Sequence, residues 1–317
     1  MQSAVLSLFA GIALGSPSPR SHILTPRAVA IPQGAKWQIE IHDPIDFSGS
    51  GTIEPADARI WTLDFWETIA KDDDGKTAIQ KLRERNGDDI LVVCYFNGGG
   101  VQIWDGDYDS FAGYTYGGIG DWDGESYVDV SAQTVVDLML ARIEKGIAAG
   151  CDGFDPDNVD AYSQDLTSKD GTTKLDESAY VTFLGKLAEP IHAAGKLLGQ
   201  KNAGELTADL LAGGITDFAV LESCLEYGFC ADFASTYGEQ GKAVLQIEYP
   251  ASVQATTDND DTVCPTEPAS DADYETVCGS IFHGFSTVIK QDGGACGLNG
   301  FAQYCDGASV VVTPTES

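Results

Sequence analysis

Short apolar runs in this 317-residue sequence end in side chains that can act as acids, bases or hydrogen-bond donors. Five of these side chains are carboxylates and none is a histidine. The set comprises Asp64, Tyr95, Asn97, Asp155, Asp157, Asn158, Lys201, Asn202, Glu222, Glu248 and Tyr249. Two carboxylates suffice for glycoside hydrolysis, in which one protonates the leaving oxygen and the other acts as nucleophile or base. The pattern therefore predicts a glycosidase.

The apolar runs that carry these residues predict eight strands alternating with helices. The strands are residues 37–41, 60–63, 90–96, 153–154, 197–199, 218–221, 243–249 and 300–304. Between them, residues 135–147 and 180–191 follow a 3.6-residue period. Eight such alternations predict an α/β fold of the (β/α)8 TIM-barrel class, whose strand ends meet at one rim. A doubly wound sheet is the alternative, but the Gly-rich phosphate turn typical of that fold does not follow the first strand.

The N-terminal region predicts secretion. Residues 4–15 are apolar but too few to span a bilayer, and Ser-Pro-Ser-Pro follows them. We expect a signal peptide over 1–16, a linker or pro-segment over 17–36, and a catalytic barrel over 37–317 with a long loop at 251–274. The expected product is an extracellular monomer that does not bind membranes.

The eight cysteines predict disulfides rather than a metal site. An even number of cysteines in a secreted chain favours disulfide bonds, and no C-x-x-C or H-x-x-x-H spacing suggests zinc. Two pairs are close in sequence, Cys224 with Cys230 and Cys296 with Cys305. The remaining pairs would then be Cys94 with Cys151 and Cys264 with Cys278. We expect no metal and no cofactor.

The net charge of −31 restricts the partner. Phosphate recognition needs clustered Lys and Arg, so a nucleic-acid ligand is excluded. A cationic partner would be attracted.

Five segments resemble those of glycoside hydrolase family 114, the secreted endo-α-1,4-polygalactosaminidases. The segments are VCYFNGG, GCDGFDPDNVDAY, GQKN, FAVLESCLEYGFC and GKAVLQIEY. The resemblance extends over about residues 37–307 and implies a (β/α)8 barrel that cleaves α-1,4-linked galactosamine polysaccharide internally. The family's strand-four aspartate maps onto Asp157 and its strand-six glutamate onto Glu222. Many relatives have a glutamate at the position of Asp155.

Roles for the two mapped residues follow from this resemblance and from the strand order. Asp157 is expected to be the nucleophile and Glu222 the general acid/base of a retaining mechanism, although the sequence leaves an inverting outcome open. Lys201 either lowers the pKa of a neighbouring carboxyl or forms a structural ion pair.

The other strand-end residues are expected to bind a cationic or neutral galactosamine-containing polysaccharide. Asp64, Asp155 and Glu248 would bind ammonium and hydroxyl groups, and Asn158 and Asn202 complete the polar set. Tyr95 and Tyr249 would either stack on sugar faces or close the top of the barrel.

Three other functions remain as alternatives. The D-x-D spacing at residues 155–157 could belong to a metal-dependent glycosyltransferase, and an α-galactosidase-like glycosidase could share the same strand geometry. A barrel that binds carbohydrate without catalysis would lack Asp157 or Glu222, and both are present.

Overall fold

The computed structural model describes residues 29–120, 122–258, 261–292, 296–307 and 309–316. The predicted signal peptide, 1–16, and the first part of the predicted linker lie outside these ranges. Chain packing begins before Trp37: Ile31 is buried, and the Gln33 side chain donates hydrogen bonds to the carbonyls of Gly238 and Lys242.

Eight parallel strands form the curved central sheet, as the sequence predicts. In sheet order they are β1 (Trp37–Glu40), β2 (Ile60–Asp64), β3 (Leu91–Asn97), β7 (Gly153–Asp157), β8 (Leu197–Lys201), β9 (Phe218–Glu222), β10 (Val244–Glu248) and β13 (Phe285–Ile289). The strands are almost wholly buried, because helices cover one face and side chains fill the other. The (β/α)8 prediction is confirmed.

The eighth parallel strand was predicted in the wrong place. It is β13, whereas the predicted strand at 300–304 is β14 (Phe301–Tyr304), which runs antiparallel beside β13 and pairs with β15 (Val311–Val312). Two polar residues, Ser286 and Thr287, interrupt the apolar pattern of β13. Because of these two residues, β13 does not stand out in the sequence as an apolar run, although the strand is largely buried.

The sheet does not close by backbone pairing of β1 with β13 among the described residues. Side chains bridge the gap instead. The Trp37 indole donates to the Ser286 carbonyl at 2.7 Å, and the Lys290 ammonium donates to the Ile39 carbonyl at 2.8 Å. The Gln38 amide donates to the Thr313 hydroxyl at 2.7 Å, so the C-terminal segment also closes this side of the barrel.

Eight α-helices occur in the described ranges. They are α1 (Phe65–Ile69), α2 (Ala78–Asn86), α3 (Gln133–Ala149), α4 (Glu177–Ala193), α5 (Thr207–Ala212), α6 (Cys224–Tyr227), α7 (Cys230–Phe233) and α8 (Asp271–Cys278). The two longest, α3 and α4, are those with the clearest 3.6-residue pattern, and each buries one apolar face. None of the described helices is long and apolar enough to cross a membrane.

A small antiparallel sheet follows β3 at the carboxyl end of the barrel. It consists of β4 (Gly100–Gln102), β5 (Thr115–Ile119) and β6 (Trp122–Val128), in the order β4-β6-β5. Gly99 allows the chain that leads into this sheet to pass close to the turn after β7, since a Cβ at Gly99 would lie 1.8 Å from the Asn158 carbonyl oxygen. The segment after β10 contains a second small hairpin, β11 (Thr256–Asp258) with β12 (Asp261–Val263), before α8 begins.

Four disulfides use all eight cysteines. The predicted pairs Cys94–Cys151 and Cys224–Cys230 are confirmed. The other two predicted pairs, Cys264–Cys278 and Cys296–Cys305, are wrong. The chain instead forms Cys264–Cys296 and Cys278–Cys305. Strand β13 carries the chain across the barrel between Cys278 and Cys296, so closeness in sequence does not reflect closeness in space.

Candidate active site

Two carboxylates share one buried ammonium at the carboxyl end of the barrel. Lys201 Nζ lies 3.0 Å from Asp157 Oδ2 and 3.3 Å from Glu222 Oε2. The Lys201 side chain is only 2% exposed, whereas those of Asp157 and Glu222 are 19% and 30% exposed. The cation is therefore enclosed, while both carboxylates still reach solvent.

The parallel sheet brings these residues together because each stands at the carboxyl end of its strand. Asp157 ends β7 beside Asn97 of β3, while Lys201 and Glu222 end β8 and β9. The predicted convergence of strand-end residues is thus observed for these three side chains.

Sharp turns after the strands orient the site. Asn158, Asn202 and Ser223 all have left-handed backbone conformations, with φ of 58°, 41° and 54°. Non-glycine residues rarely adopt this region, and such strain is concentrated at functional sites. Through these turns the Asn158 N–H donates to Asp157 Oδ1 at 2.7 Å, and the Asn202 side-chain oxygen accepts from the Glu222 N–H at 2.9 Å.

Two tyrosines donate hydrogen bonds to the carboxylates. The Tyr95 hydroxyl donates to Asp157 Oδ2 at 2.8 Å, and the Tyr249 hydroxyl donates to Glu222 Oε1. The hydroxyls therefore orient the carboxylates, a use not among those predicted for these two residues. Burial raises the pKa of both tyrosines, so they remain donors at neutral pH.

The ionisation state of Asp157 depends on Lys201. Burial alone would raise the pKa of the Asp157 carboxyl, but the Lys201 charge and the hydrogen bonds from Asn158 and Tyr95 hold it below its usual range. Burial would likewise lower the pKa of Lys201, but Asp157 and Glu222 raise it. Asp157 is therefore ionised and Lys201 protonated at neutral pH.

Asp155 lies inside the barrel, two residues before Asp157 on the same strand. It is fully buried, and neither carboxyl oxygen has a hydrogen-bond partner. Burial raises its pKa to about 7, against the opposing effect of Lys201. No surface of Asp155 is open to a ligand.

Asp64 and Glu248, also predicted to bind substrate, hold helices. Asp64 Oδ1 accepts from the N–H groups of Trp66 and Glu67 at the start of α1, and burial raises the Asp64 pKa to about 6. Glu248 Oε1 accepts from the Leu225 N–H in α6. Burial also raises the pKa of Glu248.

A further carboxylate, Glu125, approaches the site from β6 and is not among the residues predicted from the sequence. Its carboxylate accepts from the Asn97 amide at 3.0 Å and from the Gln102 amide at 2.7 Å. Burial raises its pKa, and the negative charge of Asp157 adds to this effect. No nearby motif marked Glu125, because the small sheet that carries it was not predicted.

A cleft of about 650 Å³ opens beside Glu222. Acidic and aromatic side chains dominate its lining, which is Asp160, Tyr162, Ser163, Asn202, Ala203, Gly204, Glu205, Glu222, Tyr227, Phe229, Asp232 and Phe233. A smaller cavity of about 190 Å³ between α1 and the segment after β1 contains neither carboxylate of the pair.

One group of potential metal ligands occurs in the described ranges, formed by Cys224, Cys230 and Glu248. The two cysteines form a disulfide and so offer no thiolate. The pair itself offers one ionised carboxylate, Asp157, and a second carboxyl, Glu222, of the kind that can transfer a proton.

Comparison with known proteins gives one family match and several structural neighbours. The profile of glycoside-hydrolase family GH114 matches residues 20–310. The crystal structure of Aspergillus fumigatus Ega3 in complex with galactosamine is 30% identical, with a TM-score of 0.67 over 89% of this chain and 99% of that one. The glycoside hydrolase domain of PelA from Pseudomonas aeruginosa is 14% identical, with a TM-score of 0.57 over the same fractions of the two chains. No curated protein sequence matches.

Proposed function

Since the chain belongs to glycoside hydrolase family GH114, we propose that this glycosidase cleaves α-1,4-linked galactosamine polysaccharide at internal bonds. The observation that carries the proposal is the pair Asp157 and Glu222, held by one ammonium at the carboxyl end of the barrel. Two carboxyl groups in such an arrangement are what glycoside hydrolysis requires.

Asp157 is the nucleophile and Glu222 the general acid/base. Asp157 attacks the anomeric carbon while Glu222 protonates the leaving oxygen, so that an ester forms as the glycosidic bond breaks. Glu222 then takes a proton from water, which attacks the same carbon and releases Asp157. Lys201 contacts both carboxylates, so its charge lies beside Asp157 before the ester forms and beside Glu222 once Glu222 has given up its proton.

The spacing of the pair supports retention of anomeric configuration. The two distances to Lys201 Nζ, 3.0 and 3.3 Å, keep Asp157 Oδ2 and Glu222 Oε2 closer than the ~6.5 Å at which inverting pairs begin. NMR of the first product is the check, with an α-anomer expected. A β-anomer would exclude retention.

The cleft beside Glu222 supports a cationic substrate. Asp160, Glu205 and Asp232 line it, and none has a Lys or Arg within ion-pair distance among the described residues. Protonated galactosamine units would supply the missing positive charge, whereas N-acetylated units would not. The galactosamine bound to the Ega3 structure is consistent with this preference.

Secretion is part of the proposal. Four disulfides suit an oxidising compartment, and the predicted signal peptide 1–16 would direct the chain there. We retain the predicted signal peptide and a monomeric state, but we shift the start of the catalytic barrel from Trp37 to about Ile31, because Ile31 and Gln33 already pack against it.

A product-size assay on α-1,4-galactosamine oligomers tests the function. Wild type should release internal fragments, and Asp157→Asn and Glu222→Gln should each lower the rate by at least ~10³-fold. Asp165→Asn is the matched control, because Asp165 is 87% exposed and pairs only with Lys174.

Two results would contradict the proposal in different ways. Binding without cleavage by wild type would favour a carbohydrate-binding barrel. Cleavage of α-galactosides in preference to galactosamine oligomers would favour an α-galactosidase-like enzyme.

A further inference from the structure

The small sheet after β3 exposes a group of large apolar side chains. Ile103, Trp104 and Trp122 are 59%, 59% and 62% exposed. Ile103 and Trp104 lie against Gly124, where a Cβ would be 2.9 to 3.1 Å from their atoms. Trp122 is two residues from Gly124 on β6. We call these three residues the tryptophan patch.

Hydrogen bonds on both sides of Ile103 and Trp104 hold the backbone of the tryptophan patch in place. The Ile103 N–H donates to the Gly124 carbonyl at 3.0 Å, which extends the pairing of β4 with β6. The residue after Trp104 is Asp105, whose carboxylate accepts from Arg142 and from the Trp66 indole, each at 2.8 Å. Ile103 and Trp104 are therefore exposed to solvent on a backbone that is hydrogen-bonded on both sides, and an exposed apolar group of this kind marks an interaction surface.

The same sheet connects the patch to the carboxylate pair. Glu125 of β6 accepts from Asn97 beside Asp157, and Trp122 is three residues along β6 from Glu125, about 10 Å along the backbone at the rise of an extended strand. Because three is an odd spacing, the Trp122 and Glu125 side chains lie on opposite faces of the small sheet, so a polymer that extends from the pair to the patch crosses the edge of this sheet. The patch is on the β3 side of the pair, whereas the cleft beside Glu222 is on the side of β8 and β9.

We propose that the tryptophan patch binds units of the galactosamine polymer that extend beyond the catalytic pair, with sugar faces stacked on the indole rings. The inference rests on the proposed function. Indole favours cations over its face, so protonated amino sugars gain more than neutral ones. Asp123, exposed between Trp122 and Gly124, adds negative charge at the same place.

The experiment compares a long substrate with a short one. KM is measured for the α-1,4-galactosamine polymer and for a trimer, using wild type, Trp104→Ala, Trp122→Ala and the corresponding Phe variants. Each Ala substitution should raise KM for the polymer about tenfold and alter the value for the trimer little. The Phe variants should restore most of the affinity, because they keep an aromatic face.

Ile281→Ala is the matched control. Ile281 is 47% exposed and precedes β13, at the amino-terminal end of the barrel. This substitution should leave both KM values unchanged. Equal changes for polymer and trimer in the Trp variants, or none, would overturn the inference. Loss of a dimer on substitution of either tryptophan would also overturn it, since the patch would then contact a second copy of the chain.

A binding measurement separates this inference from the proposed function. Sedimentation of the polymer with Asp157→Asn, with and without Trp104→Ala, reports the patch without catalysis. Binding that is lost with Trp104→Ala, together with no cleavage by wild type, would sustain the inference and refute the function. Cleavage by wild type, together with binding that Trp104→Ala leaves unchanged, would do the reverse, and no binding by any form would refute both.

Discussion

Two buried cations, Arg142 and Lys201, each contact two carboxylates. The two clusters differ in geometry and in how far their carboxylates are exposed to solvent. Arg142 is fully buried and donates to Asp105 at 2.8 Å and to Asp107 at 2.6 and 3.0 Å. A further N–H of its guanidinium reaches the Asn97 carbonyl at 3.3 Å. Asp105 and Asp107 are 2% and 14% exposed, against 19% and 30% for Asp157 and Glu222, so this cluster is the more closed of the two.

The Lys201 cluster is open on one side. Its ammonium is a compact charge that contacts Asp157 and Glu222, and both carboxylates keep surface in contact with solvent. A guanidinium fixes its partners in a fork geometry, whereas an ammonium fixes charge and leaves direction to other groups. Here Tyr95 and Tyr249 supply the direction. Both clusters bury their cation, so what distinguishes the proposed catalytic pair from the Arg142 cluster is the greater exposure of its carboxylates.

Removal of the closed cation should give the largest loss of stability. Arg142→Met leaves Asp105 and Asp107 without their cation and should lower the free energy of unfolding by about 3–5 kcal/mol. Chemical denaturation measures the change. Arg59→Met is the control, because Arg59 is 50% exposed and pairs with the exposed Asp89. Equal losses in both variants would remove the distinction between closed and exposed pairs.

Removal of the open cation should instead change the catalytic rate and its pH dependence. In Lys201→Met the effect that holds the Asp157 pKa low is lost, so that pKa rises. The acid limb of kcat/KM should shift to higher pH, and the rate at neutral pH should fall by roughly 10²-fold. An acid limb at the wild-type position would show that Lys201 does not control the ionisation of Asp157.

Asp155 lies in the barrel interior beside the Lys201 cluster, and its substitution tests what burial of a carboxyl contributes to stability. Its pKa in the folded protein, about 7, lies above that of the unfolded chain, so its contribution to stability is full at low pH and is lost as pH rises through 7. Asp155→Asn should therefore be more stable than wild type at pH 9, by on the order of 3 kcal/mol. Denaturation curves from pH 4 to 9 measure this difference, and parallel curves for the two proteins would contradict it.

The smallest effect is expected at an exposed ion pair. Asp165 and Lys174 are 2.8 Å apart but 87% and 61% exposed. Because solvent and salt screen such a pair, Asp165→Asn should leave the melting temperature unchanged within error. A clear decrease would mean that surface pairs contribute to this fold as buried ones do.

The sequence allowed prediction of the strands that build the site, but not of every role at their ends. The meeting of parallel strands at their carboxyl ends predicts that Asp157, Lys201 and Glu222 lie at one rim, and the resemblance to family 114 singles out Asp157 and Glu222 among the rim residues. Asp64 and Glu248 have the same sequence context, yet Asp64 caps α1 and Glu248 accepts a hydrogen bond from the Leu225 N–H of α6. What separates the two groups is the direction of the following turn, which depends on backbone angles that side-chain patterns do not record.

Other errors have a similar cause, because they concern contacts between distant segments. Glu125 reaches the site from β6, 28 residues after Asn97. Strand β13 is buried through its position between β10 and β14, although Ser286 and Thr287 weaken its apolar pattern. In both cases tertiary packing, rather than local propensity, decides the outcome.

The crossed disulfides Cys264–Cys296 and Cys278–Cys305 have a consequence for how the protein is produced. Four cysteines can pair in three ways, and the pairing of near neighbours, which we predicted wrongly, is also the one that a nascent chain meets first. Thiolate exchange must then convert it to the native set. Recombinant yield should therefore depend on an oxidising host compartment that contains a disulfide isomerase.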